Sequence, residues 1–186
     1  MKSTFYYLVE PVDGKEFVNE NKDGIVLSAN IEDHRFTNRL GMVIGVPGSD
    51  DDSEIKIGDI VLVHHNTFRS YYDFKGKLQK STNHIADNVY YVEKDRIYAY
   101  YRDSKENVFK DYCFVEPIKR DDKGFQYSTR VEKELIGKVA LVGSGAIEQG
   151  IAVGDTVAFK PDSEYEFRID DVKHYRIPVK NIYAVL

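Results

Sequence analysis

Four carboxylates lie close together in the segment PGSDDDSE, at Asp50, Asp51, Asp52 and Glu54. Clustered oxygen ligands can hold a divalent cation, which is the first chemistry that the sequence suggests. Their spacing does not fit the calcium loop of EF-hand proteins. A solvated acidic turn is therefore the favoured interpretation, with a cation site as the alternative.

The histidines and the single cysteine suggest metal binding or nucleophilic catalysis, but their contexts argue against both. His64 and His65 are adjacent in a stretch that we expect to be strand, where neighbouring side chains point to opposite faces, so they are not expected to chelate one metal ion. Cys113 lies in the apolar run YCFVEP and is expected to be a small core residue. No metal site is predicted.

Motifs for known catalytic machinery are missing from the sequence. It contains no G-x-S-x-G, no phosphate-binding loop and no H-E-x-x-H. Cys113 has no polar activating residues beside it in the sequence. We therefore predict no catalytic residue and no bound cofactor, and we expect a protein that is not an enzyme.

Charge and hydropathy limit the partners. The net charge is −5, and acidic and basic residues are interspersed, so no basic footprint for nucleic acid or for an anionic membrane is visible. The first residues lack the pattern of a secretory signal, and no run of 18 apolar residues occurs. A cytoplasmic protein that binds neither nucleic acid nor membrane is expected.

The elements that would position any functional residue occur twice. Four blocks recur in the same order: Tyr7–Pro11 with Cys113–Pro117, Gly41–Val46 with Gly137–Val142, Ile55–Val63 with Ile151–Phe159, and Arg96–Tyr100 with Asn181–Val185. Copy 2 is shorter between its first and second blocks and between its third and fourth. Losses between apolar blocks are typical of surface loops, so the blocks themselves are expected to carry the fold.

Each block reads as a strand. Apolar runs alternate or are punctuated by glycine, and Gly58 and Gly154 stand where a strand pair is expected to turn or bulge. No stretch shows convincing helical periodicity. The predicted fold class is all-β, with two tandem small Greek-key β-barrels: residues 1–101, a connector 102–111, and residues 112–186.

The blocks resemble the GroES, or chaperonin 10, family of co-chaperonins. The resemblance rests on DGIVLSA, GMVIGVPG, IKIGDIVLV and DRIYAYY in copy 1, and on GKVALVGSG, IAVGDTVAF and KNIYAVL in copy 2. The order and spacing agree with that family. The resemblance covers most of the chain, as two tandem units.

The resemblance implies a mobile loop at about residues 18–36 whose apolar segment docks on a chaperonin. The chaperonin-binding residues would be Gly24, Ile25, Val26, Leu27 and Ser28. Polar residues on both sides of this segment cannot bury themselves, which favours a mobile loop. The alternative is that Ile25 to Leu27 simply add a strand to the barrel. The equivalent stretch of copy 2, IKRDDKGFQYSTRVEKEL, has no aliphatic triplet.

The function implied by the resemblance is that of a lid. The protein would form a ring, with seven chains expected, and would cap a GroEL-type chaperonin that binds ATP and encloses an unfolded client protein. Copy 2 would stack on the docking ring or flank it; the alternative places both barrels side by side in one ring, as in tandem chloroplast co-chaperonins. Enlarged lids occur among phage co-chaperonins, so a host-cytoplasmic phage protein is compatible with the sequence. The alternative function is a structural, adaptor or viral assembly protein that uses the barrel only to oligomerise.

Two further segments are interpreted within this resemblance. Asp50, Asp51, Asp52 and Glu54 fall in the equivalent of the roof loop and would line the opening of the dome with negative charge. The segment Asn66–His84, which copy 2 lacks, is called the insertion below. We expect it to pack on its own barrel, and the alternatives are that its aromatic residues line the cavity or pack between the two copies. These residues are Phe68, Tyr71, Tyr72 and Phe74.

Overall fold

The computed structural model of the protein describes residues 3–16, 21–22, 25–26, 37–48, 54–120, 132–169 and 172–186. The chain divides into two units, Met1–Glu106 and Asn107–Leu186. In the described residues, each unit consists mostly of short antiparallel strands.

The first unit is organised around a seven-stranded sheet. In chain order, the strands are β1 (Tyr7–Pro11), β2 (Asn21–Lys22), β3 (Ile25–Val26), β4 (Leu40–Gly45), β5 (Ile60–Val63), β6 (Tyr71–Tyr72), β7 (Leu78–Gln79), β8 (His84–Ala86), β9 (Val89–Val92), β10 (Ile97–Arg102) and β11 (Lys105–Val108). The sheet has the order β11-β10-β5-β4-β1-β9-β8. β2 pairs with β3, and β6 pairs with β7, as two small separate sheets.

In its described residues, the second unit has a six-stranded sheet and one α-helix. Its elements are β12 (Tyr112–Lys119), β13 (Glu132–Val142), α1 (Ser144–Glu148), β14 (Thr156–Phe159), β15 (Tyr165–Ile169), β16 (Val172–Pro178) and β17 (Ile182–Val185). The sheet order is β15-β16-β12-β13-β14-β17. The prediction of strands alone is wrong at α1, whose five residues are too few for an apolar periodicity to appear in the sequence.

The two sheets arrange their repeated blocks in the same order and register. The order β10-β5-β4-β1-β9-β8 in the first unit corresponds to β17-β14-β13-β12-β16-β15 in the second. Val9 pairs with Val43 in the first sheet, and Val115 pairs with Val139 in the second. In both, the register shifts immediately before this pair. The repeat in the sequence therefore corresponds to equal strand pairing.

The glycine turns before β5 and β14 have the same backbone conformation and the same side-chain hydrogen bond, and both lie where the sequence predicted a turn. Gly58 has φ of 93° and Gly154 has φ of 96°, a region that glycine enters without steric penalty. The next residue, Asp59 or Asp155, accepts a hydrogen bond from the amide three residues before it, at 2.7 Å and 2.8 Å respectively. Each turn thus carries its own carboxylate cap.

Each sheet buries consecutive side chains along its central strands. The core of the first unit includes Tyr7, Val9, Val43, Val61, Val63, Phe68, Tyr90 and Tyr98. The core of the second unit includes Cys113, Val115, Val139, Ala146, Ile151, Val157, Phe159 and Ile177. Burial of a large aliphatic or aromatic side chain contributes roughly 1.5 to 3 kcal/mol, so these faces stabilise the sheets. The prediction that Cys113 is a core residue is confirmed.

The prediction that His64 and His65 point to opposite faces of a strand is wrong. β5 ends at Val63, and His64 precedes a single turn of 3-10 helix, His65–Thr67. The two imidazole rings stack with centroids 4.2 Å apart. Nδ1 of His64 accepts a hydrogen bond from the amide of Asn66 at 3.1 Å, and this bond starts the turn.

Two segments outside the repeated blocks have regular structure of their own. Residues 102–111, expected as a connector, contain β11, which follows a turn with positive φ at Asp103 and Ser104. In the insertion, the ring of Phe68 is buried edge-on against Tyr90, with centroids 5.0 Å apart. The expected packing of the insertion on its own unit is confirmed at Phe68, whereas Phe74 is 94% exposed.

The turn at Gly58 and Asp59 has an ion pair. In the described residues, the equivalent turn at Gly154 and Asp155 does not repeat it. Arg102 Nη2 lies 2.6 Å from Asp59 Oδ2, and Arg102 Nε donates to Asp59 Oδ1 at 2.8 Å. Burial alone would raise the pKa of Asp59, whose side chain is 4% exposed. The hydrogen bonds from Arg102 and from the Lys56 amide outweigh burial and hold this pKa below its ordinary value of 3.8.

We predict that Asp59→Asn lowers the free energy of unfolding by about 2 kcal/mol, because it removes a charge-assisted hydrogen-bond pair. Because the pKa of Asp59 is lowered on folding, the parent loses this stability as the pH falls below 3.8, whereas the variant does not. Urea unfolding at pH 7 and pH 3 measures both effects. The matched control is Asp155→Asn, which should cost less. Equal losses for the two variants would contradict the role of Arg102.

Candidate functional site

The predicted docking residues fall partly within the described structure. Ile25 and Val26 form β3, which pairs antiparallel with β2, so that Lys22 faces Ile25 and Asn21 faces Val26. Gly24, Leu27 and Ser28 lie outside the described residues. Of the expected loop at 18–36, the structure describes 21–22 and 25–26.

The β2–β3 pair is a sheet of its own. Neither strand belongs to the seven-stranded sheet, whose order runs through β4, β1 and β9 without them. The alternative that the apolar triplet adds a strand to the main sheet is therefore wrong for Ile25 and Val26. The expected mobility of the loop and the burial of the triplet on a chaperonin remain predictions.

Asn38 joins the two ends of the chain that flank residues 17–36. Its side-chain amide donates to the carbonyl oxygens of Val12, at 3.2 Å, and Lys15, at 2.8 Å. Its backbone amide donates to the carbonyl oxygen of Glu16 at 2.9 Å. Its Oδ1 accepts from the amide of Leu40 at 2.9 Å. A single buried side chain thus fixes the end of the 3-10 turn Val12–Gly14 against the start of β4.

Three side chains contact the carboxylate of Glu16, whose carbonyl oxygen accepts from Asn38. Its carboxylate accepts from the hydroxyl of Tyr90 on β9 and from the hydroxyl of Ser70, at 2.8 Å, in the insertion. Lys80, also in the insertion, places its ammonium 3.1 Å from Oε1. We call Glu16, Ser70, Lys80 and Tyr90 the Glu16 cluster. It fixes the last described residue before position 17.

The electrostatics of the Glu16 cluster favour the ionised carboxylate. Burial alone would raise the pKa of Glu16, but the hydrogen bonds from Tyr90, Ser70 and Lys80 outweigh it and hold the pKa below its ordinary value of 4.5. Burial, and then the adjacent carboxylate, raise the pKa of Tyr90 well above its ordinary value. At neutral pH, the pair is therefore a carboxylate accepting from a neutral phenol.

The second unit also has a carboxylate beside the corresponding loop, but this carboxylate follows the loop in the chain, whereas Glu16 precedes its loop. Glu132 begins β13, directly after the stretch 121–131, and accepts from the hydroxyl of Tyr175 at 2.8 Å. Lys173 lies 3.1 Å from Glu132. Tyr175 pairs with Val115 as Tyr90 pairs with Val9, so the two tyrosines occupy equivalent positions. The supporting lysine in this unit comes from β16 and not from an insertion.

Of the predicted roof residues, the structure describes Glu54. Its carbonyl oxygen accepts from Arg102 Nη2 at 2.7 Å. The same Arg102 binds Asp59, so Arg102 links the backbone of Glu54 to the Asp59 turn. Asp50, Asp51 and Asp52 lie outside the described residues. The lining of a dome opening and the cation alternative remain predictions.

Metal binding and nucleophilic chemistry receive little support from the described part of the chain. There, no group of three or more His, Cys, Asp or Glu side chains is placed to hold a metal ion. Cys113 is fully buried, and burial raises the pKa of its thiol to about 12. A thiol of this pKa is protonated at neutral pH and is a poor nucleophile.

The Glu16 cluster and Asn38 are missing from the candidate sites predicted from sequence. Ser70 and Tyr90 lie far from Glu16 along the chain, and no local pattern links them. The local signal is Asn38 itself, because asparagine commonly accepts a hydrogen bond from an amide two residues later, here the amide of Leu40. It does not show which distant carbonyls the amide group binds.

Comparison with known proteins gives one family match. Residues 127–186 match the family described as chaperonin 10 kd subunit. The match includes β13 to β17 and α1 of the second unit. That family is one of co-chaperonins and not of enzymes, so the second unit contains a segment that is similar to a co-chaperonin. No curated protein matches the chain.

None of the helices in the described ranges combines the length and the apolar character that crossing a bilayer requires.

We predict that the thiol of Cys113 does not react with a disulfide reagent at pH 8 in the folded protein, because it is buried and protonated. In concentrated urea it should react fully. Ile147→Cys provides the control, since Ile147 is exposed on α1 and its replacement should react at once. Fast reaction of Cys113 in the folded protein would contradict its placement in the core.

Proposed function

We propose that the protein is a co-chaperonin: a ring-forming lid that caps a GroEL-type chaperonin in an ATP-dependent cycle and assists the folding of an enclosed client protein. Both units are Greek-key barrels of the GroES type in tandem. The first unit provides the docking segment Gly24–Ser28. The chaperonin binds the ATP, so the lid itself needs no catalytic residue.

The observation that carries this proposal is the equal strand order and register of the two units. The family match lies in the second unit, whereas the docking segment lies in the first. Val9 with Val43 and Val115 with Val139 pair at equivalent positions, with the same bulge beside them. This equality supports extending the family assignment from the second unit to the first.

The composition of the docking segment suits reversible capping. Three aliphatic side chains at Ile25, Val26 and Leu27 supply roughly 1.5 to 3 kcal/mol each when fully buried, before the cost of ordering the loop. That cost keeps a single loop weak. Several loops on one ring bind together by avidity, so the cap is tight but can be released when the chaperonin changes state.

Self-association into a ring is supported by the outer edge of the second sheet. β17 is the last strand in the order of that sheet. Tyr183 and Leu186 are each 68% exposed, and Val185 is 49% exposed. In the first unit, β10 has β11 beside it, and the equivalent Tyr98 is buried. An edge strand with exposed apolar side chains is suited to pairing with another copy.

We place seven chains in the ring, each contributing one docking segment. The second barrel stacks on the docking ring or flanks it and enlarges the dome. The acidic residues Asp50, Asp51, Asp52 and Glu54 line the opening. The ring works in the cytoplasm, which is the host cytoplasm if a phage encodes the protein.

We predict that Leu27→Asp abolishes capping, because burial of a charged side chain in an apolar contact is strongly unfavourable. Loss of one buried aliphatic side chain weakens each loop by about tenfold or more, and avidity multiplies the effect over the ring. The measurement is co-migration with a sevenfold chaperonin on size-exclusion chromatography, with and without ATP. Ile147→Asp, at an exposed aliphatic residue of the second unit, is the matched control and should bind normally.

Two outcomes of this experiment would overturn the proposed function. One is equal binding by Leu27→Asp and the parent, and the other is no ATP-dependent complex with any GroEL-type chaperonin. Rings that form without such a complex would favour a structural or adaptor protein.

We predict that Tyr183→Lys together with Val185→Lys reduces self-association, because charges at the edge of β17 oppose strand pairing. Sedimentation velocity over a range of concentrations should show a shift toward the single chain. Phe74→Lys, at a residue almost fully exposed in the insertion, is the control and should leave the sedimentation unchanged. An unchanged assembly in the double variant would exclude β17 from the contact.

A further inference from the structure

The first unit contains two segments that the second unit lacks, the docking triplet and the insertion. The insertion has no role in the function proposed above. The insertion contacts Glu16, which is the last described residue before the stretch that carries the docking triplet. Its partners Ser70 and Lys80 both belong to the insertion.

We propose that the insertion is a positioning element for the docking loop, acting through Ser70 and Lys80 on Glu16. This inference rests on the proposed function, because the segment that it positions is the proposed docking segment. It assigns the Glu16 cluster and Asn38 as positioning residues that do not contact the chaperonin.

The contact between the insertion and Glu16 is built into the core of the unit. Ser70 is almost completely buried, at 1% exposure, and donates to Glu16 Oε2 at 2.8 Å. Phe68 packs its buried ring against Tyr90, whose hydroxyl donates to the same carboxylate. The insertion therefore supports Glu16 directly through Ser70 and Lys80 and indirectly through the ring of Tyr90.

Glu16 also connects to the far end of the loop. Its carbonyl oxygen accepts from the amide of Asn38, which in turn binds the carbonyl oxygens of Val12 and Lys15. The carboxylate side of Glu16 is thus held by the insertion, and its backbone side is held by Asn38. The two ends of the stretch 17–36 are fixed at one point.

The second unit supplies an internal comparison. Tyr175 holds Glu132 there as Tyr90 holds Glu16, but Lys173 comes from the same strand as Tyr175. The tyrosine and the carboxylate are thus common to both units. The insertion adds its hydroxyl and ammonium donors only in the unit that carries the aliphatic triplet.

Fixing both ends of the loop affects docking through position and entropy. A segment whose ends are fixed samples a smaller volume, so less conformational freedom is lost when it binds. The loops of a ring also bind with an effective concentration that depends on where each one starts. A loosened base should therefore weaken capping without changing the apolar contact itself.

The test uses two matched hydroxyl deletions in the full-length protein, Tyr90→Phe and Tyr175→Phe. Each removes a phenol that donates to a carboxylate beside a loop, and only Tyr90 lies in the unit with the docking segment. Tyr90→Phe should weaken ATP-dependent binding to a sevenfold chaperonin by about tenfold, through the loss of preorganisation summed over the ring. Tyr175→Phe should bind as the parent does.

A second pair tests the insertion itself. Lys80→Met removes the ammonium and should also weaken binding, whereas Lys80→Arg retains the charge and should restore it. Hydrogen exchange at the amides of Asn38 and Leu40 should become faster in Tyr90→Phe and Lys80→Met and should stay slow in Lys80→Arg. Urea unfolding of each variant at the same pH confirms that the first unit is folded.

The outcomes separate this inference from the proposed function. If Leu27→Asp fails to bind while Tyr90→Phe and Lys80→Met bind as the parent does, the lid function stands and the positioning role is overturned. If Tyr90→Phe and Tyr175→Phe weaken binding equally, the effect is general destabilisation and the inference is also overturned. If the parent forms no ATP-dependent complex, the function fails and the inference fails with it.

Discussion

The close approach of the first two long strands is the constraint on which each unit depends. A Cβ atom at Gly137 would lie 2.7 Å from Val115 Cγ2 on β12, and one at Gly41 would lie 3.2 Å from Val9 Cβ on β1 and 2.9 Å from Phe68 Cζ in the insertion. Such distances leave no room for a side chain at either position. Because β4 and β13 pass so close to β1 and β12, the register of the sheets around them is fixed. The equal bulges in the two copies are consistent with that shared requirement.

Strand positions were predictable from the sequence because the repeat showed them twice. An apolar block that recurs in the same order in both copies marks an element, and Gly58 and Gly154 marked the turns, which the structure confirms. The exceptions are local. The five residues of α1 are too few to show periodicity, and His64 departs from the strand because its Nδ1 accepts a hydrogen bond from the Asn66 amide and caps the 3-10 turn.

The candidate site was predictable in part only. The docking segment stands out because an aliphatic triplet in polar surroundings is a sequence signal, and its role remains a prediction. The groups that support its base give no such signal. Glu16 binds Ser70 and Tyr90 across large separations, and only the folded sheet brings these residues together. A carboxylate, a serine and a tyrosine dispersed along a chain are indistinguishable from surface residues until their burial is known.

The equal register of β1 with β4 and of β12 with β13 has a consequence for protein engineering. The connections from β1 to β4 and from β12 to β13 begin and end beyond strand pairs whose backbone positions correspond, Pro11 with Gly41 and Pro117 with Gly137. These two pairs therefore mark equivalent points for exchanging the segment between the strands. A longer or shorter segment could be transplanted from one copy to the other without altering the pairing of the sheet. The valency of the protein, meaning the number of apolar segments it presents per chain, is in this sense a modular property separate from the fold.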